Sequence, residues 1–200
     1  MSWRADFSPQ PGFSRASVCE DRSYTMRVIA GEFRSRRLKS LPGAHLRPTP
    51  DRLRETLFDI LAPRIENVTF LDAYAGTGAV GIEALSRGAR EAIFIERSRA
   101  AADVIRGNLQ SLGIETRAQV FCAKALVVLE RQKADIVFLD PPYDLAAEYA
   151  AALSLLSAAP PPLTIVQHDV RLDLREEYAR LHRTRTVRQG DNVLSFYAEA

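Results

Sequence analysis

Apolar and polar positions along the chain switch repeatedly between a helical period and short apolar runs, and these switches outline a series of elements. Leu53, Leu57, Ile60 and Leu61 share one helical face; Thr49 can cap that helix, Pro50 suits its first turn and Pro63 ends it. Residues 68–72 read as a strand, followed by a glycine-rich turn and a helix over 79–87 that Gly88 can close. Residues 91–96 form the next strand. Ser98 then caps a helix that turns Ala101, Ala102, Val104, Ile105 and Leu109 inward, with Gly113 at its end. Short strands at 119–122 and 136–140 flank a weaker helix. A helix over 145–156, a break at Pro160, Pro161 and Pro162, and a strand at 163–167 follow. Residues 184–188 and 193–198 flank a Gly190-Asp191-Asn192 turn, which signals a hairpin. Strand and helix in alternation predict an α/β fold: a Rossmann-like, mostly parallel sheet with helices on both faces, finished by a C-terminal antiparallel hairpin.

The first 25 residues are polar and irregular, with no sustained apolar period, and read as a disordered extension. Met26 opens the first patterned segment, which leaves open a translation start there. Residues 26–48 read as a basic arm or small hairpin, and residues 49–200 as the main domain. The total charge of +2 is uninformative, but Arg27, Arg34, Arg36, Arg37, Lys39, Arg47, Arg52 and Arg54 stand against only Glu32 and Asp51 in their stretch. Such a face suits a polyanion, and an ordinary solvated surface is the alternative. Cys19 and Cys122 lack zinc spacing, as do His45, His168 and His182, so no metal site is expected. Cys122 reads as a small buried side chain. No membrane-spanning run or secretory leader is visible, so a soluble cytoplasmic protein is expected.

Two motifs at strand ends carry chemistry. The first, Leu71-Asp72-Ala73-Tyr74-Ala75-Gly76-Thr77-Gly78-Ala79-Val80-Gly81, matches a dinucleotide loop, so a nicotinamide or flavin enzyme is a rival on the glycines alone. Glu96, at the end of the next strand, can accept both ribose hydroxyls in either kind of enzyme. Asp72 separates the two, because a carboxylate there would repel a pyrophosphate and favour the ammonium and sulfonium of S-adenosylmethionine. The bland alternative is that Asp72 satisfies loop amides.

The second motif is Asp140-Pro141-Pro142-Tyr143. Its prolines hold an extended turn whose carbonyls are expected to point into the cleft. An aromatic amine is a poor nucleophile, since its lone pair is delocalised into the ring. Hydrogen bonds from its N–H groups to the Asp140 carboxylate and the Pro141 carbonyl would localise that pair. Tyr143 would stack on a base extruded from its helix or loop. The bland alternative is a rigid turn that ends a strand.

With these residues in hand, the chain resembles the RsmD-type family of ribosomal RNA guanine-N2 methyltransferases. The likeness runs from Met26 nearly to the end. It is carried by Arg27-Val28-Ile29-Ala30-Gly31, Leu46-Arg47-Pro48-Thr49-Pro50-Asp51-Arg52 and Glu83-Ala84-Leu85-Ser86-Arg87-Gly88-Ala89, besides the two motifs. The resemblance implies a seven-stranded class I methyltransferase sheet with strands one and four adjacent, and catalysis by Asp140, Pro141, Pro142 and Tyr143. It further implies S-adenosylmethionine held by Asp72, Ala73, Gly76, Gly78, Glu96 and Arg97, with Ala123 and Lys124 near the adenine. Lys124 stands where such enzymes often carry an acidic residue. Ribosomal RNA in an assembling or assembled small subunit is the implied substrate, met by Arg34, Arg36, Arg37, Arg47, Thr49 and Arg52, and the protein is expected to act as a monomer. Two other readings stay open: the same transfer to adenine N6 in DNA or to a protein glutamine, and an idle RNA-binding assembly factor with the same fold.

Overall fold

The computed structural model describes residues 26–41, 51–142 and 145–199. The expected N-terminal extension, the cap at Thr49, His45, Arg47 and Tyr143 all lie outside the described residues. The elements run α1 (Asp51–Leu61), β1 (Thr69–Asp72), α2 (Ala79–Ser86), β2 (Glu91–Glu96), α3 (Arg99–Leu112), a 3-10 turn (Glu115–Arg117), β3 (Ala118–Cys122), α4 (Ala125–Leu129), β4 (Ile136–Leu139), α5 (Ala146–Leu156), β5 (Leu163–Asp169), β6 (Glu177–Tyr178), β7 (Leu181–Gln189) and β8 (Asn192–Glu199).

They build one sheet in the order β3-β2-β1-β4-β5-β8-β7-β6. Strands β1 to β5 pair in parallel, and β8, β7 and β6 are added antiparallel. The sheet has eight strands where seven were expected. The additional strand is the two-residue β6, whose Tyr178 pairs with Leu181 across a turn with Ala179 at a φ of 48°. Two residues are too few to show an alternation, so only the pairing reveals them.

Strands β1 and β4 are buried at every position, as expected where helices cover both faces. On one face α1 packs Leu57 and Phe58 against Phe70, Phe138 and Ile165. On the other, Tyr149 and Leu153 of α5 meet Leu71, Val137 and Val166. A third cluster joins α2 and α3 to the arm, which contributes Met26, Val28, Phe33 and Leu38. The arm shows only a single antiparallel bridge, Arg27 with Arg37. Ser98 Oγ accepts from the Ala101 amide at 3.4 Å and Gly113 has a φ of 71°, so both ends of α3 are closed as the residues suggest. Because β1 lies between β2 and β4 while its connections leave in opposite directions, a crevice opens at the carboxyl ends of β1 and β4.

Candidate active site

The loop after β1 is tied to both neighbouring strands. Ala73 N donates to Phe138 O of β4 at 3.0 Å and Ala75 N to Ile95 O of β2 at 3.0 Å. Gly76 and Gly78 have φ of 54° and 81°, a region that side-chain-bearing residues rarely adopt. A Cβ on Gly76 would meet nothing within 4 Å, so this stretch of backbone borders open space of the kind a ligand can occupy. At Gly81 the reason for glycine differs: a Cβ there would stand 2.3 Å from Phe94 Cε1, so it serves the close approach of α2 to β2.

Two carboxylates flank this loop. Glu96 Oε2 accepts from Gly76 N at 2.9 Å and its Oε1 from Ser98 N at 2.7 Å, leaving the half-buried group with further lone pairs. Asp72 is 2% exposed and its Oδ2 accepts from Gly81 N at 3.1 Å, which is the amide-satisfying role left open above. Burial raises the Asp72 pKa to about 7; the Gly81 amide opposes the rise and the charge of Glu96 adds to it. Between the ordinary aspartate value of 3.8 and about 7, the folded chain therefore holds a proton that the unfolded chain has released. Stability must fall as pH rises through that window, and the loss is complete above it. In Asp72→Asn this loss is absent. Relative to wild type, the variant's melting temperature should shift in its favour from pH 4 to pH 7 and then level off, as scanning calorimetry would follow. A difference that is constant with pH would contradict the assignment.

Asp140 follows β4 directly, half-buried, with Pro141 buried and Pro142 exposed. The proline carbonyls are not left to the cleft as expected. The hydroxyl of Tyr149, wholly buried on α5, donates to Pro141 O at 2.8 Å, and Leu145 N donates to Pro142 O at 2.9 Å. The start of α5 thus anchors the run, and Pro141 O keeps one lone pair for another donor. Tyr74 of the glycine loop also reaches α5, donating to Glu148 Oε1 at 3.1 Å; burial, with Glu148 beside it, pushes its pKa upward.

Gln167 gave no signal beyond a polar residue closing an apolar strand. Phe138 pairs with Ile165 and Leu139 with Val166, so the next step of the register sets Asp140 beside Gln167. Gln167 is 2% exposed and its Oε1 has no hydrogen-bond partner. A buried acceptor left in that state costs about 1–3 kcal/mol.

The remaining expected residues among those described lie around this crevice, along the arm or, for Arg52, on α1. Arg97 is exposed just beyond β2; Ala123 N donates to Glu96 O at 3.1 Å, and exposed Lys124 precedes α4. Cys122 is exposed rather than buried, because β3 is the edge strand of the sheet. Arg34, Arg36, Arg37 and Arg52 are exposed, and Arg36 also donates to Ser111 O at 3.0 Å. Arg54 leaves the basic face altogether: it is 1% exposed and donates to Arg27 O at 2.7 Å and to Asp51 Oδ1 at 3.1 Å. Among the described residues no group of three metal-ligating side chains occurs.

Several buried polar residues missed in the sequence fasten the arm to the cofactor side of the fold. Glu83, 0% exposed, accepts from Ile29 N at 2.8 Å and Ala30 N at 3.0 Å. Ser86 Oγ accepts from Phe33 N at 3.0 Å and donates to Ala30 O at 2.6 Å. Gly31, at a φ of 83°, sits so close that a Cβ would fall 1.9 Å from Ser86 O. Asn108 accepts from Lys39 N at 2.8 Å and donates to Lys39 O at 3.1 Å and to Thr77 O, in the glycine loop, at 3.3 Å.

Comparison with known proteins agrees with this arrangement. A family model described as Conserved hypothetical protein 95 matches residues 26–198. The chain is 33% identical over 181 residues to YlbH of Bacillus subtilis, provisionally named an rRNA methyltransferase, covering 86% of this chain and 98% of that protein. It is 41% identical to ribosomal RNA small subunit methyltransferase D of Haemophilus influenzae over 64% of this chain and 69% of the relative. Among solved structures, that of yhhF from Escherichia coli, provisionally named a methyltransferase, superposes with a TM-score of 0.78 at 33% identity over 88% of this chain and 99% of that one.

Proposed function

The chain belongs to the Conserved hypothetical protein 95 family, and from that premise we propose that it transfers the methyl group of S-adenosylmethionine to the exocyclic N2 amine of a guanine in small-subunit ribosomal RNA. The observation that carries this reading is the junction of the two motifs: β1 pairs with β4, and Ala73 N is bonded to Phe138 O, two residues before Asp140. A cofactor loop and an acceptor for an amine therefore border one crevice.

The residues present fit the cofactor. Gly76 offers backbone beside open space, the Glu96 carboxylate suits a ribose diol, and the Asp72 carboxyl, in the ionised form it takes above about pH 7, suits a cationic methionine portion. Ala73, Gly78, Arg97, Ala123 and Lys124 complete the proposed cofactor surface. When bound, the cofactor supplies an electrophilic methyl group on a sulfonium. The protein's own work is to accept the amine N–H groups at the Asp140 carboxylate and Pro141 O, to hold the base in line, and to localise the lone pair towards the methyl group. Tyr149 steadies Pro141 O, and Tyr143 is proposed as the stacking platform. Arg34, Arg36, Arg37 and Arg52, with Arg47 and Thr49, are the proposed contacts to RNA phosphates. Action on small subunits in the cytoplasm, as a monomer, completes the reading.

Labelled cofactor offered with unmethylated small ribosomal subunits, naked ribosomal RNA, duplex DNA and protein extract tests it. Label is expected in the RNA of the subunits, at a guanine N2 on mapping. Label confined to DNA or protein, or found in no acceptor at all, would overturn the proposal.

A further inference from the structure

Among the described residues, Gln167 is the buried polar group at the crevice whose state the proposed chemistry does not yet explain. Its Oε1 has no partner, although the residue is 2% exposed. Thr164 Oγ1 is likewise unpaired, but Thr164 lies in the interior of the sheet, paired with Val137 and Tyr197 near the start of β5. Gln167 lies towards the opposite end of the strand, the end that opens on the crevice, one register step past the pair of Leu139 with Val166. That step sets it beside Asp140, the residue that directly follows β4. Side chains alternate along a strand, so residues 165 and 167 of β5 share a face, and Asp140, the first residue past β4, is carried by the same alternation towards the face of Phe138. Phe138 and Ile165 pack in one cluster, which fixes these as the same face.

We infer that Gln167 reads the ring edge of the target base: its side-chain oxygen accepts the N1–H of guanine while Asp140 and Pro141 O accept the N2 amine. The inference rests on the guanine reading above. Neighbouring strands lie about 4.8 Å apart, a spacing that lets acceptors on β4 and β5 serve two adjacent donors of one base edge. Guanine presents those donors side by side. Adenine presents an unprotonated ring nitrogen next to its amine, which would face the Gln167 oxygen lone pair to lone pair. A base edge thus satisfies the acceptor that the protein alone leaves unpaired, and a wrong base leaves it unpaired.

The test compares wild type with Gln167→Met, which keeps the length and removes the polar end, and Gln167→Glu, which keeps an acceptor oxygen. The substrates are small subunits reassembled on RNA that carries either guanine or 2-aminopurine at the methylated position; 2-aminopurine has the same amine but no N1–H. Wild type is expected to prefer guanine in kcat/KM by at least about tenfold. Gln167→Met should bring that preference to within about twofold, chiefly by losing guanine turnover, with a melting temperature no lower than wild type and unchanged S-adenosylmethionine affinity. Gln167→Glu should keep the preference, and it decides the matter if the methionine variant does not fold. The inference fails if Gln167→Met retains the preference, if its activity and melting temperature fall together with cofactor affinity, or if Gln167→Glu loses the preference. Should wild type methylate no guanine at all, the underlying functional reading falls with it; guanine methylation indifferent to residue 167 sinks this inference alone.

Discussion

Asp140→Ala is expected to lower kcat on unmethylated small subunits by about a hundred- to a thousandfold, a loss of the size seen when an oriented electrostatic partner of the reacting group is removed. The S-adenosylmethionine Kd should stay within about twofold, because the glycine loop and Glu96 are held by backbone bonds that Asp140 does not make. The split is informative. A residue that only shaped the β4 turn would move the melting temperature and cofactor affinity along with kcat. Asp140→Asn keeps a carbonyl oxygen and loses the charge, so it should retain a measurable part of the activity. Turnover by Asp140→Ala comparable to wild type, measured in single-turnover assays with labelled cofactor, would remove the carboxylate from the mechanism.

Glu83→Ala is expected to have the largest effect on stability. The carboxylate has no solvent exposure, takes both amide donors of Ile29 and Ala30, and receives Arg87 Nε at 2.8 Å, with the Arg87 side chain 14% exposed. Removing it strands two arm amides and leaves a largely buried guanidinium with only Asp59 Oδ1, 3.4 Å from its Nη1, as carboxylate partner, a type of loss that costs about 3–5 kcal/mol. For a chain of this size that corresponds to a fall in melting temperature of roughly 6–20 °C. Ser86 and Asn108 would remain as fastenings of the arm. RNA affinity should therefore weaken more than cofactor affinity, since Arg34, Arg36 and Arg37 lie on the loosened segment. Urea unfolding and filter binding of ribosomal RNA measure the two effects. A variant within about 1 kcal/mol of wild type would mean that other contacts hold the arm.

How far the fold was legible differs between elements for identifiable reasons. Strand β2 and helix α3 were placed to within a residue, because a run of apolar residues between polar ends and a Ser98 to Gly113 pair of caps leave a local record. The hairpin of β7 and β8 was recognised from its Gly190 turn, but both strands extend further than the apolar pattern. Arg183, Arg185 and Arg188 on β7 mask a strand whose inner neighbour β8 supplies the burial. At the site, the glycine loop and the Asp-Pro-Pro turn announce themselves because each position demands a special backbone. Arg54 misled for the converse reason: a guanidinium looks the same in sequence whether it faces solvent or a backbone carbonyl.

What the sequence determined by itself is the succession of strands and helices, the family, and the two motifs at strand ends. All are local properties of apolar period and backbone conformation. The resemblance already implied that strands one and four adjoin, as β1 and β4 do; the tertiary structure alone decided that Gln167 stands beside Asp140 and that Glu83 clasps an arm 54 residues earlier in the chain. Such pairings are set by packing and by the need of each buried polar group for a partner. No stretch of chain contains both partners, so no pattern within it can record their meeting.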